Sequence, residues 1–187
     1  MENKQDILKK LGSSDIDLVS EAIEQIKTEG DLSIVPELLD ILLQCKEPVI
    51  ITHITSLLSD IKDSGFKTIL MEKLIQAANN SEKPNLLRIC WESAIDFSEY
   101  MDIFLDILLK DDFISALEAS TVIENLSDNL SEVKIKEAIE RIKALPADDD
   151  KAFLLEGVLL HLEEMLDSSK EDNDEEEHHH CGCDGHD

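Results

Sequence analysis

Apolar residues along most of the chain recur at the spacing of one helical face, with polar residues at the intervening positions. The clearest stretch runs from Ile34 to Leu43, where apolar residues fall at i, i+1, i+4, i+5, i+8 and i+9. That spacing places them on a single stripe of an α-helix. No stretch alternates with a period of two for long enough to indicate a strand. The pattern therefore predicts an all-α protein.

Nine or ten amphipathic segments can be drawn before residue 168. We predict helices over 3–12, 15–28, 32–45, 47–62, 66–79, 84–97, 99–110, 112–127, 131–145 and 149–167. The connections are about two to five residues long, which favours antiparallel packing of neighbouring helices as hairpins. Gly30 and Asp31 suit the end of one helix and the cap of the next. Pro36 falls in a first turn, where its missing N–H is tolerated.

Some of these segments also repeat. The stretch "PELLDILLQ" at 36–44 resembles "DIFLDILLK" at 102–110, and "EPVIITHITSLLSDI" at 47–61 resembles "DFISALEASTVIENL" at 112–126. Both pairs have an offset of about 66 residues, or two repeats of about 33, and a fixed period in this range is typical of solenoids of stacked helix pairs. We predict a short α-solenoid of about four to five helix pairs. A helical bundle without repeats is the alternative.

Residues 15–44 resemble the HEAT-repeat and HEAT-like α-solenoid family. The resemblance rests on three short motifs: Val19, Ala22 and Ile23 in the first helix, the Gly30-Asp31 turn, and Val35, Pro36, Leu38 and Leu39 in the second helix. It is loose over 45–167, where the later units lack the Gly-Asp turn and the proline, and it is absent from 168–187. Proteins that look like this are mostly interaction scaffolds with diverse partners, so the resemblance implies an architecture and a general role.

The charge balance restricts the class of partner. The formal net charge is −26, of which −7 falls on residues 168–187 and −19 on the rest. Nucleic acids and anionic membranes bind through Lys and Arg, so a polyanion of this kind argues against both. Acids recur near the segment ends: Asp31, Glu37, Asp40, Asp60, Glu99, Asp102, Asp106, Asp111, Asp112, Glu118 and Glu124. If they line one face, a basic peptide or protein could bind there; a solvated acidic face is the alternative.

No catalytic motif stands out. Glycine-rich phosphate loops, H-E-x-x-H and G-x-S-x-G are absent from the sequence. His53 and His161 fall within helical patterns, and Cys45 and Cys90 are interpreted as small buried apolar residues. Trp91 is a candidate binding anchor, since Trp is over-represented among such anchors. We expect a non-enzymatic protein, although a pocket with converging polar groups would revive an enzyme hypothesis.

The last ten residues, "HHHCGCDGHD", carry the only concentrated metal-ligand chemistry. Soft and borderline cations such as Zn²⁺, Ni²⁺ and Cu⁺ prefer thiolate and imidazole ligands. The candidate ligands are His178, His179, His180, Cys181, Cys183 and His186. An affinity tag and a tail that binds metal only opportunistically are the alternatives. The acidic run at 168–177 has no apolar side chain and is predicted to be a flexible spacer.

Together these features predict one HEAT-like helical repeat domain over 1–167 and a disordered tail over 168–187. The first hypothesis is a scaffold that binds an unknown protein or basic peptide, with a metal-binding tail. The second is a protein that stores or delivers Zn, Ni or Cu. No stretch approaches the roughly 20 apolar residues of a membrane span, and the N-terminus has no apolar core of the secretory type. We therefore expect a cytoplasmic location.

Overall fold

The computed structural model of the chain describes residues 4–13, 15–29, 32–77, 81–126, 130–144 and 150–177. Within these ranges all regular secondary structure is helical, which confirms the all-α prediction. The helices are α1 (Lys4–Leu11), α2 (Ile16–Glu29), α3 (Val35–Gln44), α4 (Pro48–Ser59), α5 (Ser64–Gln76), α6 (Lys83–Glu92), α7 (Met101–Lys110), α8 (Phe113–Glu124), α9 (Glu132–Lys143) and α10 (Ala152–Glu177). Two 3-10 turns, Leu32–Ile34 and Ser98–Tyr100, lead directly into α3 and α7.

Several helices begin where local chemistry favours a start. Pro36 and Pro84 lie in the first turns of α3 and α6, where no backbone donor is required, and the predicted place of Pro36 is confirmed. Asp63, Asp112 and Ser131 precede α5, α8 and α9, and each side chain accepts a hydrogen bond from a backbone N–H of the first turn. Such caps satisfy donors that the helix itself leaves without partners.

Helix α6 ends earlier than its apolar pattern predicts. The sequence predicts a helix to residue 97, but the backbone turns extended at Ser93. The Ser93 hydroxyl then accepts a hydrogen bond from the Ile95 N–H at 3.2 Å, a side-chain contact that competes with helical hydrogen bonding. Phe97, beyond the helix, is buried in the core. The apolar pattern continues past the helix end because this loop also supplies core residues.

Helix α10 ends later than predicted. The apolar stripe stops near Leu166, and the sequence predicts a flexible acidic spacer over 168–177, but the backbone continues as helix to Glu177. Glu and Lys have good intrinsic helix propensity, and extending an existing helix is far easier than starting one. An apolar pattern cannot reveal such an extension, since it detects only the part of a helix that faces a core.

Each helix packs against its partner in a sequential pair, and most also contact the helix two positions away. The sequential contacts are α1–α2, α3–α4, α5–α6, α7–α8 and α9–α10. The contacts two positions apart join α2, α4, α6, α8 and α10 in a row, and also join α3 to α5 and α7 to α9. Buried apolar side chains from all ten helices form one continuous cluster, so a single core runs along the described part of the chain.

Some polar contacts between helices two positions apart join residues with the same separation in the sequence. Lys4 Nζ of α1 lies 2.9 Å from the Glu37 carboxylate of α3. Ser59 Oγ of α4 lies 3.4 Å from the Glu92 carboxylate of α6. Both pairs are 33 residues apart. This separation is half of the offset of about 66 that relates the similar stretches of sequence.

One buried cation fixes the start of α10. Lys151 is only 8% exposed, and its ammonium donates to the carbonyls of Leu108 (3.2 Å), Leu109 (3.2 Å) and Asp111 (3.1 Å) at the end of α7. The last carbonyls of a helix have no intrahelical donors and carry partial negative charge, so an ammonium group satisfies both needs. Lys151 thereby connects the last helix pair to the pair before it.

Candidate interaction surface

The six predicted metal ligands cannot be placed. His178, His179, His180, Cys181, Cys183 and His186 all lie outside the described residues. Within the described ranges, no three His, Cys, Asp or Glu side chains converge in a way that could hold a metal ion. Metal binding by the tail therefore stays a prediction from the sequence.

Six of the eleven predicted acids are paired with cations of their own chain, and five of these six form one set. These five lie on α3, on α7 or in the turn before α7, and their partners lie on the adjacent odd-numbered helices. The pairs are Glu37 with Lys4, Asp40 with Lys73, Glu99 with Lys67 (2.5 Å), and Asp102 and Asp106 with Arg141. At these contacts the sign of charge alternates from α1 to α9, and we call this set of pairs the charge ladder. A basic peptide would have to displace cations that the chain already provides.

The other predicted acids have separate roles. Three have partners within the chain: Asp111 with Lys83 Nζ (2.5 Å), Asp112 with the Ser115 N–H (3.0 Å), and Glu118 with Trp91 Nε1 (2.7 Å). Asp60 and Glu124 are exposed, and Asp31 lies outside the described residues. The ten acids that are described therefore do not form one free acidic face.

We expect Asp106, one of the charge-ladder carboxylates, to make a pH-dependent contribution to stability. Hydrogen bonding from Lys110, with the Arg141 guanidinium nearby, holds the pKa of Asp106 below its ordinary value of 3.8. A lowered pKa in the folded state stabilises the fold above pH 3.8, and this contribution is lost as the pH falls through the lowered value. Asp106→Asn should therefore reduce the free energy of unfolding relative to wild type at pH 7 but not near pH 2. Urea titrations at both pH values measure it, and a difference that is equal at both would contradict it.

Exposed apolar side chains occur together on two neighbouring even-numbered helices, α8 and α10. Phe113, Ile114 and Leu117 are 38%, 53% and 36% exposed on α8, and Phe153 and Leu160 are 61% and 58% exposed on α10. The Phe113 and Phe153 rings are in contact across the two helices, with centroids 6.0 Å apart. We call these five residues the apolar strip. Grouped exposure of this kind marks interaction sites more often than single exposed apolar residues do.

Other exposed apolar side chains in the described ranges lie singly on separate helices: Leu18 on α2, Val49 on α4, Ile75 on α5 and Val133 on α9. Single exposed apolar residues are common on protein surfaces and need no special explanation. Ile75 is 61% exposed, the same fraction as Phe153, and Val133 is 64% exposed. These two residues are therefore suitable controls for substitutions in the apolar strip.

Trp91 is positioned beside the apolar strip. It is half-buried on α6, and its indole Nε1 donates to Glu118, the residue that follows Leu117 on α8. The Arg88 guanidinium lies 6.0 Å from the centre of its ring. Both contacts hold the indole in place, so the predicted binding anchor lies at the boundary of the strip and is already fixed by its own chain.

Three exposed carboxylates without ion pairs in the described part of the chain lie near the apolar strip. Glu124 at the end of α8, and Glu156 and Glu164 on α10, are exposed. No ion pair is recorded for these three carboxylates among the described residues, in contrast to the carboxylates of the charge ladder. Gly157, between Phe153 and Leu160, is also exposed, and its Cα approaches the Glu124 carboxylate closely enough that an added Cβ would lie 3.5 Å from it.

The remaining candidate residues show no catalytic arrangement in the part of the chain that is described. Burial raises the pKa of the Cys90 thiol well above its ordinary range, which makes it unreactive and confirms its interpretation as a buried apolar residue. Cys45 is half-buried rather than buried, and both thiols are free. His53 is exposed on α4, and His161 is half-buried on α10 with its Nε2 lacking a hydrogen-bond partner.

A cleft of about 500 Å³ lies near the ends of α2 and α4. Its lining is mostly apolar, with Lys27, Asp60, Lys62 and Asp63 as its charged members. It contains none of the histidines or cysteines discussed above. The non-enzymatic interpretation stays a prediction, and the apolar strip is the better-defined candidate site.

Sequence reasoning missed the apolar strip, although a signal for it was present. In α8 the apolar residues Ala116, Ala119, Val122 and Ile123 are buried, while three further apolar residues lie on the exposed side. A helix with more apolar residues than its core stripe needs is a sign of a second contact surface. The sequence pattern alone does not show which of the two sides faces the core.

None of the helices in the described part of the chain has the length and apolar character needed to cross a lipid bilayer. The HEAT-like resemblance, good over residues 15–44 and loose over 45–167, stays an expectation from the sequence. Comparisons with family models, curated proteins and solved structures give no match, so no family is assigned to the chain.

Proposed function

We propose that the chain is a non-enzymatic interaction scaffold, a short HEAT-like solenoid that binds a protein partner on the apolar strip. The solenoid part of the proposal is supported by the contacts between helices two positions apart. It is also supported by polar pairs that are separated by 33 residues, such as Asp40 with Lys73. Stacked helix pairs of constant length would produce both features.

The observation that carries the binding role is the ring contact between Phe113 and Phe153. Two large aromatic side chains, 38% and 61% exposed, meet across neighbouring helices instead of being buried. Leu117 and Leu160 extend this surface along the same two helices. Aromatic side chains that are fully desolvated by a partner dominate binding energies, so this contact is suited to be the centre of an interface.

The test compares two double variants that remove similar apolar side chains. Phe153→Ser/Leu160→Ser changes the apolar strip, and Ile75→Ser/Val133→Ser changes apolar residues of similar exposure on α5 and α9. Full-length wild type and both variants are used to capture proteins from the source cells, with quantification by mass spectrometry. Proteins retained by wild type and by the control variant should be lost from the strip variant by about tenfold or more.

Circular dichroism must first show that both double variants are folded, which is expected because the four side chains are largely exposed. Equal capture by the two variants would show that the apolar strip does not bind a partner. Loss from both variants would point to a nonspecific effect of surface polarity and would also count against the proposal.

We keep metal binding by the tail as a second, separate proposal. Its support is the residue chemistry alone: two thiols and four imidazoles within ten residues. Full-length protein should bind Zn²⁺ more tightly than a chain ending at Glu177 when both are titrated under reducing conditions. Equal, weak binding by both chains would contradict it.

A further inference from the structure

We propose that the apolar strip receives an amphipathic helix that carries basic residues beside its apolar face, with Gly157 as the point of closest approach. The proposal rests on the scaffold function above and specifies the chemistry of the partner. Three observations carry it: a glycine at an exposed position in the second turn of α10, exposed carboxylates near the strip without ion pairs in the described part of the chain, and the helical backbone of α8 and α10.

Gly157 has no evident structural role in the fold. It lies inside α10 with ordinary helical backbone, it is exposed, and a Cβ there would make only an ordinary contact with Glu124. Glycine weakens a helix interior, so its presence at this position is unfavourable for α10 alone. On one face it is preceded by Phe153 and followed by Leu160, two large side chains about 10 Å apart along the helix. Without a side chain at Gly157, the backbone of another chain could approach α10 more closely between these two residues than at any position with a Cβ.

The charges around the strip favour a partner with positive charge. Glu124, Glu156 and Glu164 are exposed carboxylates for which no cation is recorded in the described part of the chain. The carboxylates of the charge ladder differ, since each has a Lys or Arg of its own chain. A second copy of this chain would bring another large negative charge to the interface, which opposes self-association. Lysine or arginine on a partner would supply the missing cations.

The backbone of the strip favours a helical partner over an extended one. Phe113, Ile114 and Leu117 lie within α8 and Phe153 and Leu160 within α10, so the local backbone groups are already bonded within helices. An extended peptide would bury its own N–H and C=O groups here without partners, which is unfavourable. A helix satisfies its backbone internally and presents apolar anchors at i, i+3, i+4 and i+7.

The experiment measures binding of defined peptides to the full chain by fluorescence anisotropy. The first probe is a synthetic amphipathic helix of about four turns, with leucines on one face and lysines on the other. The second has the same composition with the leucines scrambled, and the third replaces lysine by glutamate. We expect the first probe to bind about tenfold or more tightly than the second, and the third not to bind.

Variants of the chain then locate the site. Gly157→Ala should weaken binding of the first probe by about tenfold while leaving the melting temperature unchanged or higher, because alanine favours the helix but its methyl group prevents close approach of the partner's backbone. Phe153→Ser should weaken binding similarly, and Ile75→Ser should not. Replacing Glu124, Glu156 and Glu164 together by Gln should reduce both the affinity and its dependence on salt.

The inference is overturned if the scrambled probe binds as well as the ordered one, or if Gly157→Ala and Phe153→Ser leave binding unchanged. In either case the acidic chain attracts cationic peptides without a defined site. If the first probe fails to bind but cellular capture still depends on Phe153 and Leu160, the scaffold function stands and only the basic-helix partner is refuted. If the first probe does not bind and cellular capture does not depend on Phe153 and Leu160, both proposals are refuted.

Discussion

Phe104→Ala should reduce the free energy of unfolding by about 3–5 kcal/mol, the range measured when a buried aromatic side chain is removed and the cavity only partly collapses. Phe104 lies on α7, is fully buried and belongs to the continuous core cluster. Domains of ordinary stability unfold at a cost of about 5–15 kcal/mol, so the change would remove a large share of the total. Urea unfolding followed by circular dichroism measures it, and the fluorescence of Trp91, the single tryptophan, gives a second probe.

The matched control is Phe153→Ala, which deletes the same atoms from a side chain that is 61% exposed. We expect a loss of less than about 1 kcal/mol there, since little apolar surface returns to water. A loss at Phe153 as large as that at Phe104 would show that Phe153 supports the fold, and its role as a binding residue would then be in doubt. Similar small losses at both positions would contradict the core described above.

Lys151→Met should reduce the free energy of unfolding by about 2–3 kcal/mol, the cost of leaving buried polar groups without donors. Methionine retains most of the apolar stem of lysine but cannot donate to the carbonyls of Leu108, Leu109 and Asp111. Those carbonyls form the negative end of α7, where a cation also interacts favourably with the helix dipole. Thermal and urea unfolding of the full chain measure the change.

Lys110→Met is the control for the loss of a positive charge. Lys110 is the last residue of α7, and its side chain is 67% exposed and pairs with Asp106 about one helical turn away. Exposed pairs of this kind contribute about 0.3–0.5 kcal/mol, so we expect a small change. If Lys151→Met cost no more than Lys110→Met, the three hydrogen bonds of Lys151 would not stabilise the fold.

The positions of the helices followed largely from the sequence. All ten predicted segments overlap the observed helices, and the structure adds caps such as Asp63 and Asp112 at helix starts. The errors lie at boundaries where the apolar pattern and the helix diverge: α6 stops at Glu92 while core residues continue, and α10 continues to Glu177 after core residues stop. A periodic pattern reports contact with the core, which is not the same as the extent of the helix.

The candidate site was much less accessible from the sequence. Trp91 was identified as an anchor candidate from residue type alone, but its fixed position beside Glu118 follows from a contact between residues 27 positions apart. The eleven acids looked alike in the sequence, yet Asp106 pairs with Arg141 whereas no ion pair is recorded for Glu124 in the described part of the chain. The sequence contained one local indication of the role of Lys151. A cation beside a helix N-terminus interacts unfavourably with the helix dipole, so a lysine at this position suggests a tertiary contact.

By itself the sequence determined the helical class, the approximate helix positions, the side of most helices that faces the core and the strong negative charge, because these depend on residue type and on spacing of a few positions. Only the tertiary structure decided which carboxylates are paired, that Lys151 is buried against α7, and that apolar residues of α8 and α10 meet at the surface. The charge ladder, the hydrogen bonds of Lys151 and the Phe113–Phe153 contact join residues 32 to 43 positions apart. Local spacing carries no information about which distant residues a fold brings together.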